Sequence, residues 1–285
     1  MSEIVSNEKL VRELEEKAKF IRLETVRLID IAKSGHYTSV FSCAELFSVL
    51  YYHVMSVDPN NPDWEDRDRF VLSKGHAAVG LYPVLADHGF FPKEWLDSYT
   101  RVGSAFGDHP DMRKIPGIDF SSGSLGQGLS VSTGMAIGGN MSNKDYKVYC
   151  MLGDGELNEG QIWEAILSAA NLKLNNLVAI VDRNQMSLDG FTEDIMPVNP
   201  IDQKFEAFGW ETRHVDGHNL TELVELFDEI SSTKREKPLV IIADTLKGKG
   251  VEGMELNNDW HLGYLAEKDR KKVEEEIHRG LQSRT

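Results

Sequence analysis

The stretch Tyr149-Cys150-Met151-Leu152-Gly153-Asp154-Gly155-Glu156-Leu157-Asn158-Glu159-Gly160 decides the fold. It opens on an apolar run, which breaks into two glycines that flank a carboxylate. A helix-compatible segment follows over 161–167, and a second apolar run over 177–181 ends in Asp182-Arg183-Asn184. This order of strand, glycine turn, helix and strand predicts a βαβ unit.

Two side chains with oxygen atoms follow the two strands of this unit. Because parallel strands end at the same edge of a sheet, we expect Asp154 and Asn184 to lie side by side at the carboxyl edge, where α/β sheets bind ligands. A carboxylate and an amide oxygen suit Mg²⁺ or Ca²⁺, with phosphate or water oxygens completing the coordination. Gly155 leaves its N–H open to an oxyanion at the start of a helix. The pattern predicts a metal-bridged diphosphate site, although Gly-Asp-Gly as a simple turn, with Asn184 as a loop residue, stays an open alternative.

Composition and charge exclude several classes of protein. The chain has 285 residues, 41% hydrophobic and 27% charged, which is typical of a soluble globular protein. Its net charge of −15 argues against nucleic acid and anionic membrane as partners. The two cysteines, Cys43 and Cys150, are too few for a disulfide framework and are expected to be buried. No signal-peptide pattern or membrane-length apolar run is present, so the cytoplasm is the expected location.

Hydrophobic spacing predicts the other elements, and strands alternate with helices as in the α/β class. Helices are predicted over 8–33, 44–55, 77–88, 201–208 and 220–231, and strands over 70–72, 210–215 and 239–243. Small residues recur every four positions and predict a helix face for close packing, at Gly126, Ser130, Gly134 and Gly138. We expect one domain over 1–265, followed by a charged, solvated, helical tail over 266–285.

Histidines and lysines lie close to glycine or proline at the ends of several predicted elements. The histidines are His36, His76, His109 and His261. Taken singly, each is more simply interpreted as a structural residue. The segment Lys247-Gly248-Lys249-Gly250, after the last strand, fits an anion site and a solvated loop equally well.

Several of these motifs together carry a resemblance to a known family. In chain order they are Ser34-Gly35-His36, Phe70-Val71-Leu72-Ser73-Lys74-Gly75-His76, His109-Pro110, Leu125-Gly126-Gln127-Gly128, Gly153-Asp154-Gly155 with Asn184, and Trp260-His261. In order and context they resemble the transketolase family, and Gly153-Asp154-Gly155 with Asn184 resembles its thiamine diphosphate motif. The sequence departs from the family pattern at Arg183, where the first of two paired asparagines is usual, and at Ser124, where proline is usual. The resemblance implies a thiamine diphosphate-binding fold, with a mainly parallel sheet flanked by helices on both faces.

The resemblance also implies a role for each site residue. The metal ligands are Asp154, Asn184 and the carbonyl of Met186. The cofactor-binding residues are His76, Gly123, Ser124, Leu125, Gly155, Asn184 and His261, with the backbone N–H of Gly155 donating to the diphosphate. The residues that face the sugar are His36, His109 and His261, and Glu159 joins a carboxylate network at the subunit interface.

The implied activity is transfer of a two-carbon ketol unit from a ketose phosphate to an aldose, with thiamine diphosphate and Mg²⁺ or Ca²⁺. Imidazoles titrate near neutrality, so they can both position hydroxyls and move their protons. The family's pyrimidine-binding and C-terminal domains have no counterpart in this sequence. We therefore expect a second chain with the pyrimidine-binding domain as partner, in an α2β2 assembly. The sugars stay open, from pentose phosphates to branched or sulfonated sugars.

Two other interpretations also remain open. The chain could be the α subunit of a 2-oxo acid dehydrogenase, although the histidines fit sugars better than a 2-oxo acid. It could also be a non-catalytic cofactor-binding subunit. Deoxyxylulose-phosphate synthase is related as well, but its chain is normally unsplit.

Overall fold

A single parallel sheet forms the centre of the computed structural model, which describes residues 2–280. Its strands are β1 (Arg69–Leu72), β2 (Val148–Gly153), β3 (Leu177–Arg183), β4 (Glu211–Asp216) and β5 (Leu239–Asp244). They lie in the order β1-β2-β3-β5-β4, and every neighbouring pair is parallel. All five carboxyl ends therefore meet at one edge.

Helices cover both faces of the sheet. They are α1 (Ser2–Ala32), α2 (Thr38–Phe41), α3 (Ala44–Val49), α4 (Ala78–His88), α5 (Gln127–Met141), α6 (Gly160–Asn171), α7 (Thr192–Ile195), α8 (Ile201–Phe208), α9 (Leu220–Ser232) and α10 (Glu267–Arg279). The helix predicted over 44–55 continues beyond α3 as a wider π-helical turn over Leu50–Val54. In the part of the chain that the structure describes, none of these helices is both long and apolar enough to cross a membrane.

Strand residues alternate between two hydrophobic layers. Tyr149 and Met151 of β2 face a core shared with α1, α3, α4 and α9. Their neighbours Cys150 and Leu152 face a second core shared with α5, α6 and α8. A sheet covered on both faces must be apolar on both sides of each strand, which is why its strands appear as continuous hydrophobic runs in the sequence. The predicted α/β class and the parallel sheet with helices on both faces are confirmed.

Three local predictions can be compared with the structure. Cys43 and Cys150 are buried and free, as predicted. The small-residue helix face is wrong in detail, because a Cβ added at Gly134 would meet nothing within 4 Å. Close packing occurs instead at Gly128, where a Cβ would lie 2.4 Å from Ser73. The charged tail contains α10, which is not fully solvated: Val273 and Ile277 are buried in the core that α1 shares.

Candidate active site

The candidate site lies where β2 and β3 end side by side. Gly153 pairs with Asp182 in the sheet, so Asp154 and Asn184 follow adjoining strand ends. Asp154 is 1% exposed, and its Oδ2 accepts a hydrogen bond from the N–H of Gln185 at 2.8 Å. Asn184 is also buried, and its Oδ1 accepts from the N–H of Met186 at 3.2 Å. Parallel pairing and one tight turn thus bring the carboxylate of Asp154 next to the segment from Asn184 to Met186.

The carboxylate of Asp154 has no cationic partner among residues 7–280. Its other contacts are the N–H of Gly155, at 3.0 Å from Oδ1, and the hydroxyl of Thr192, at 3.4 Å from Oδ2. Burial, together with the nearby charge of Asp182, raises the pKa of Asp154 to about 7. No group of three or more His, Cys, Asp or Glu residues in the described chain could hold a metal ion alone. A cation here would need oxygens from a ligand, which suits a phosphate-bridged ion.

Three of the four predicted histidines form one cluster. The ring centroids of His36 and His76 are 5.2 Å apart, those of His36 and His261 are 5.3 Å apart, and those of His76 and His261 are 5.8 Å apart. Two backbone hydrogen bonds between Gly35 and Gly263, of 3.1 and 3.0 Å, bring the two outer segments together. Burial lowers the pKa of His261 to about 3 and that of His76 well below its usual value, so both rings are neutral at pH 7.

Lys74 forms a buried ion pair under this cluster. Its Nζ donates to Asp182 Oδ2 and, at 2.8 Å, to the carbonyl of Ser39. Asp182 is fully buried and also accepts from the hydroxyl of Ser42 at 2.7 Å. Burial alone would lower the pKa of Lys74, but the carboxylate of Asp182 raises it more, so its charge is kept.

Lys247 is as deeply buried but has no carboxylate partner in the described chain. Its Nζ lies 2.8 Å from the carbonyl oxygen of Ser187 and 2.8 Å from Nδ1 of His261. Burial, together with the nearby charge of Lys74, lowers the pKa of Lys247 to about 8. The sequence left this segment open between an anion site and a solvated loop. The lysine is 1% exposed, which removes the solvated-loop interpretation for this side chain.

The glycine-rich loop before α5 is held against the end of β2 by a buried carboxylate. Glu156 accepts from the N–H of Gly126 at 2.8 Å and from the N–H of Gly153 at 3.0 Å. Gly126 has φ +84°, and a Cβ there would lie 2.6 Å from the Cβ of Glu159. A side chain at this position would therefore be strained and would also clash with Glu159.

The predicted ring-binding residues lie in this loop. Gly123 and Leu125 are half-buried, and Ser124 is exposed. The fourth predicted histidine, His109, lies beside Gly123, with ring atoms 3.6 Å from where a Cβ of that glycine would be. The side chain of His109 is 44% exposed, and Glu159 is also exposed. These residues thus form the open side of the candidate site.

Sequence reasoning missed the role of three residues at this edge, namely Lys74, Glu156 and Asp182. Each adjoins a motif that was recognised, next to Gly75-His76, Asp154 or Asn184 respectively. The available signal was a charged residue within a few positions of the end of an apolar run. The N–H of Gly155, expected to face a diphosphate, donates here to its neighbour Asp154.

Comparisons with known proteins agree with this geometry. Residues 14–282 match the family model for the transketolase thiamine diphosphate binding domain. A subunit of the 6-deoxy-6-sulfo-D-fructose transketolase of Clostridium sp. (strain MSTE9) is 41% identical over 263 residues, covering 92% of this chain and 93% of the relative. A subunit of the apulose-4-phosphate transketolase of Actinobacillus succinogenes is 41% identical over 250 residues, covering 87% of this chain and 90% of the relative. The chain belongs to the transketolase family, and its matched domain implies binding of thiamine diphosphate.

Full-length transketolases are similar to this chain over part of their own length. The human transketolase is 40% identical over 275 residues, which are 95% of this chain and 43% of that protein. The solved transketolase from Leishmania mexicana superposes with a TM-score of 0.87 at 30% identity, over 95% of this chain and 42% of the other. The chain therefore corresponds to less than half of these enzymes, in their diphosphate-binding region.

Proposed function

We propose that this chain is the diphosphate-binding subunit of a two-chain transketolase, which binds thiamine diphosphate through Mg²⁺ at the carboxyl edge of the sheet. One observation carries the proposal: the buried carboxyl of Asp154 and the buried amine of Lys247 form no ion pair in the described chain, and burial shifts the pKa of each toward its neutral form. Ser187 links them, because its carbonyl accepts from Lys247 and its Cα lies 3.4 Å from where a Cβ of Gly155 would be. A divalent cation bound to a diphosphate would neutralise both charges at once.

The proposed roles follow from where the side chains lie. Asp154, Asn184 and the Met186 carbonyl would hold the ion. Lys247 would donate to the diphosphate. Its neighbours His76, His261 and the N–H of Gly155 would donate to it as well. The glycine loop, Gly123-Ser124-Leu125, would line the rings of the cofactor.

When bound, thiamine diphosphate supplies a carbanion-stabilising thiazolium to which a two-carbon ketol unit can be attached. The protein's own contribution is to orient sugar hydroxyls and hold their protons. His36, together with His261, would do this on the buried side of the site, and His109 on its open side. Glu159, which is exposed beside the glycine loop, would contact the partner chain.

The relatives suggest the substrate and partner classes. Two of them are named as subunits of transketolases, which supports a partner chain for this one. Their names give 6-deoxy-6-sulfo-D-fructose, a sulfonated ketose, and apulose 4-phosphate, a sugar phosphate. We infer that the donor is a ketose with an anionic end group, phosphate or sulfonate. We also propose that the partner carries the pyrimidine-binding domain, that the assembly is α2β2, and that it works in the cytoplasm.

Reconstitution tests the proposal. The purified chain is assayed with thiamine diphosphate, Mg²⁺ and ketose phosphates or a sulfonated ketose, alone and with the product of the neighbouring reading frame. We expect ketol transfer only with the partner, and a marked fall for His109→Ala. Transfer by the chain alone would contradict the two-chain arrangement. Unchanged activity of H109A in the complex would favour a non-catalytic role for this chain.

A 2-oxo acid dehydrogenase component is the second enzyme candidate. The family match and the cluster of three histidines both favour transketolase over this candidate. Adding a 2-oxo acid to the same assay separates them. Decarboxylation of that acid without ketol transfer would reverse the order of the two candidates.

A further inference from the structure

A chain of buried polar contacts runs from α1 to the segment that follows β5. Arg22 forms a two-pronged ion pair with Glu45 of α3, with both N–O distances at 2.7 Å. Glu45 Oε2 lies 3.0 Å from Nδ1 of His218, in the loop between β4 and α9. The Nε2 atom of the same ring lies 2.9 Å from the backbone nitrogen of Leu246. None of these four residues has a role in the candidate site described above.

The contacts fix the protonation of the ring. A backbone N–H can only donate, so Nε2 of His218 must accept from Leu246. Nδ1 therefore has the proton and donates it to Glu45. Burial alone would raise the pKa of Glu45, but the charge of Arg22 and the contact with His218 lower it to about 2. The acceptor is thus a carboxylate at neutral pH, and both ring nitrogens have one partner each.

This chain of contacts ends at Leu246, the residue directly before Lys247. The carbonyl of Lys247 accepts from the N–H of Leu256 at 2.9 Å, and the N–H of Gly248 donates to the carbonyl of Thr38 at 3.1 Å. These bonds hold the backbone on the carboxyl side of Lys247. On its amino side the N–H of Leu246 is held by a side chain, and that side chain is His218.

We propose that His218 is a positioning residue for Lys247. It transmits the fixed position of the Arg22–Glu45 pair to the Leu246 N–H, and so sets where the Lys247 ammonium lies relative to His261 and Ser187. The inference rests on the proposed function in one respect, namely that Lys247 contacts the diphosphate. His218 does not touch cofactor or substrate in this scheme, and it acts only through the backbone.

Two substitutions test the contacts of the two ring nitrogens separately. The amide nitrogen of His218→Asn can take the place of Nδ1 and keep the bond to Glu45, but the residue lacks the acceptor for Leu246. The longer His218→Gln can place its amide oxygen near the position of Nε2 and keep the bond to Leu246. A purely structural role would make the two variants equivalent, or make H218N the milder one. A positioning role makes H218N the more damaging variant and H218Q a partial rescue.

Calorimetric titration of the full chain with thiamine diphosphate and Mg²⁺ is the first measurement. We expect H218N to weaken binding about tenfold, and H218Q to lie closer to the wild type, when both variants have similar melting temperatures. The Lys247→Met substitution should remove this difference, because contacting residues in one network are not additive. Binding by H218N that equals the wild type, or a tenfold loss that persists in the K247M background, would overturn the proposal.

The second measurement needs no cofactor. The ¹⁵N resonance of the Lys247 side chain, assigned by its loss in K247M, is followed in the unliganded chain. We expect it to shift in H218N and to return toward the wild-type position in H218Q. An unchanged resonance in H218N overturns the positioning role. If the resonance shifts but no variant, including the wild type, binds thiamine diphosphate even in complex with the partner chain, the proposed function fails and the positioning role stands.

Discussion

Two lysines are buried at the same edge of the sheet, and they differ in what surrounds their charge. Lys74 and Lys247 are each 1% exposed. Lys74 pairs with the carboxylate of Asp182, whereas Lys247 is held by a carbonyl and a neutral imidazole. The pKa of Lys74 is raised and that of Lys247 is lowered to about 8. A buried charge therefore indicates a ligand site only where the fold leaves it without an opposite charge.

The largest expected effect is loss of stability in Lys74→Met. Removing the ammonium leaves the buried carboxylate of Asp182 without its cation, which costs about 3–5 kcal/mol of unfolding free energy. Denaturant unfolding of the isolated chain measures this. The double variant K74M with Asp182→Asn is the control, and we expect it to regain part of the loss. A stability of K74M within about 0.5 kcal/mol of the wild type would end the distinction between the two lysines.

Lys247→Met should have the opposite profile. We expect thiamine diphosphate with Mg²⁺ to bind roughly 100-fold more weakly, because a charge-assisted hydrogen bond worth about 2–3 kcal/mol is lost. The unfolding free energy should stay the same or rise, since an ammonium buried without a carboxylate is removed. Calorimetry and denaturant unfolding measure the two quantities. Lys249→Met, in the same segment, is the matched control and should leave both unchanged.

The two lysines should also differ in how stability depends on pH. Between its folded pKa of about 8 and the ordinary lysine value of 10.5, Lys247 binds fewer protons in the folded state than in the unfolded state. Its contribution to the unfolding free energy therefore rises with pH across this window, by about 1–3 kcal/mol. The difference in unfolding free energy between the wild type and K247M, measured from pH 7.5 to 10, should show this rise. The corresponding difference in unfolding free energy between the wild type and K74M should rise less over this window, because the stabilisation by Lys74 itself is complete below pH 10.5. Only the effect of the Lys74 charge on the pKa of Lys247 contributes to that smaller rise.

The smallest expected effect concerns the hydroxyl that supports the Lys74 pair. Ser42→Ala removes one neutral hydrogen bond to Asp182 and should cost about 1 kcal/mol of unfolding free energy. Affinity for thiamine diphosphate should not change, because the hydroxyl bonds only groups inside the fold. A large loss of affinity in S42A would mean that the Lys74 pair also sets the geometry of the ligand site.

The sheet could be predicted from sequence because its strands are buried on both faces. Continuous apolar runs such as Leu177–Val181 have few alternatives, and parallel pairing then brings Asp154 and Asn184 to one edge. The helix face with Gly134 was predicted wrongly, because a repeat of small residues does not tell which neighbour, if any, packs on it. Gly134 has open space where contact was expected.

The charges at the site could be predicted only in part. Lys74 and Asp182 are far apart along the chain, and no local pattern indicates that they pair. The segment of Lys247 has glycines and lysines that suit a surface loop equally well, and only burial separates the two possibilities. The histidines were grouped by resemblance to a family, whereas their contact depends on the pairing of Gly35 with Gly263.

The bond pair between Gly35 and Gly263 has a consequence for protein synthesis. His36 and His76 leave the ribosome well before His261, so the three-ring cluster cannot assemble on a nascent chain until the segment after β5 has emerged. The sheet can be complete well before that moment, since β5 ends at Asp244. A newly made chain thus gains the framework of its sheet first and its capacity for the cofactor only afterwards.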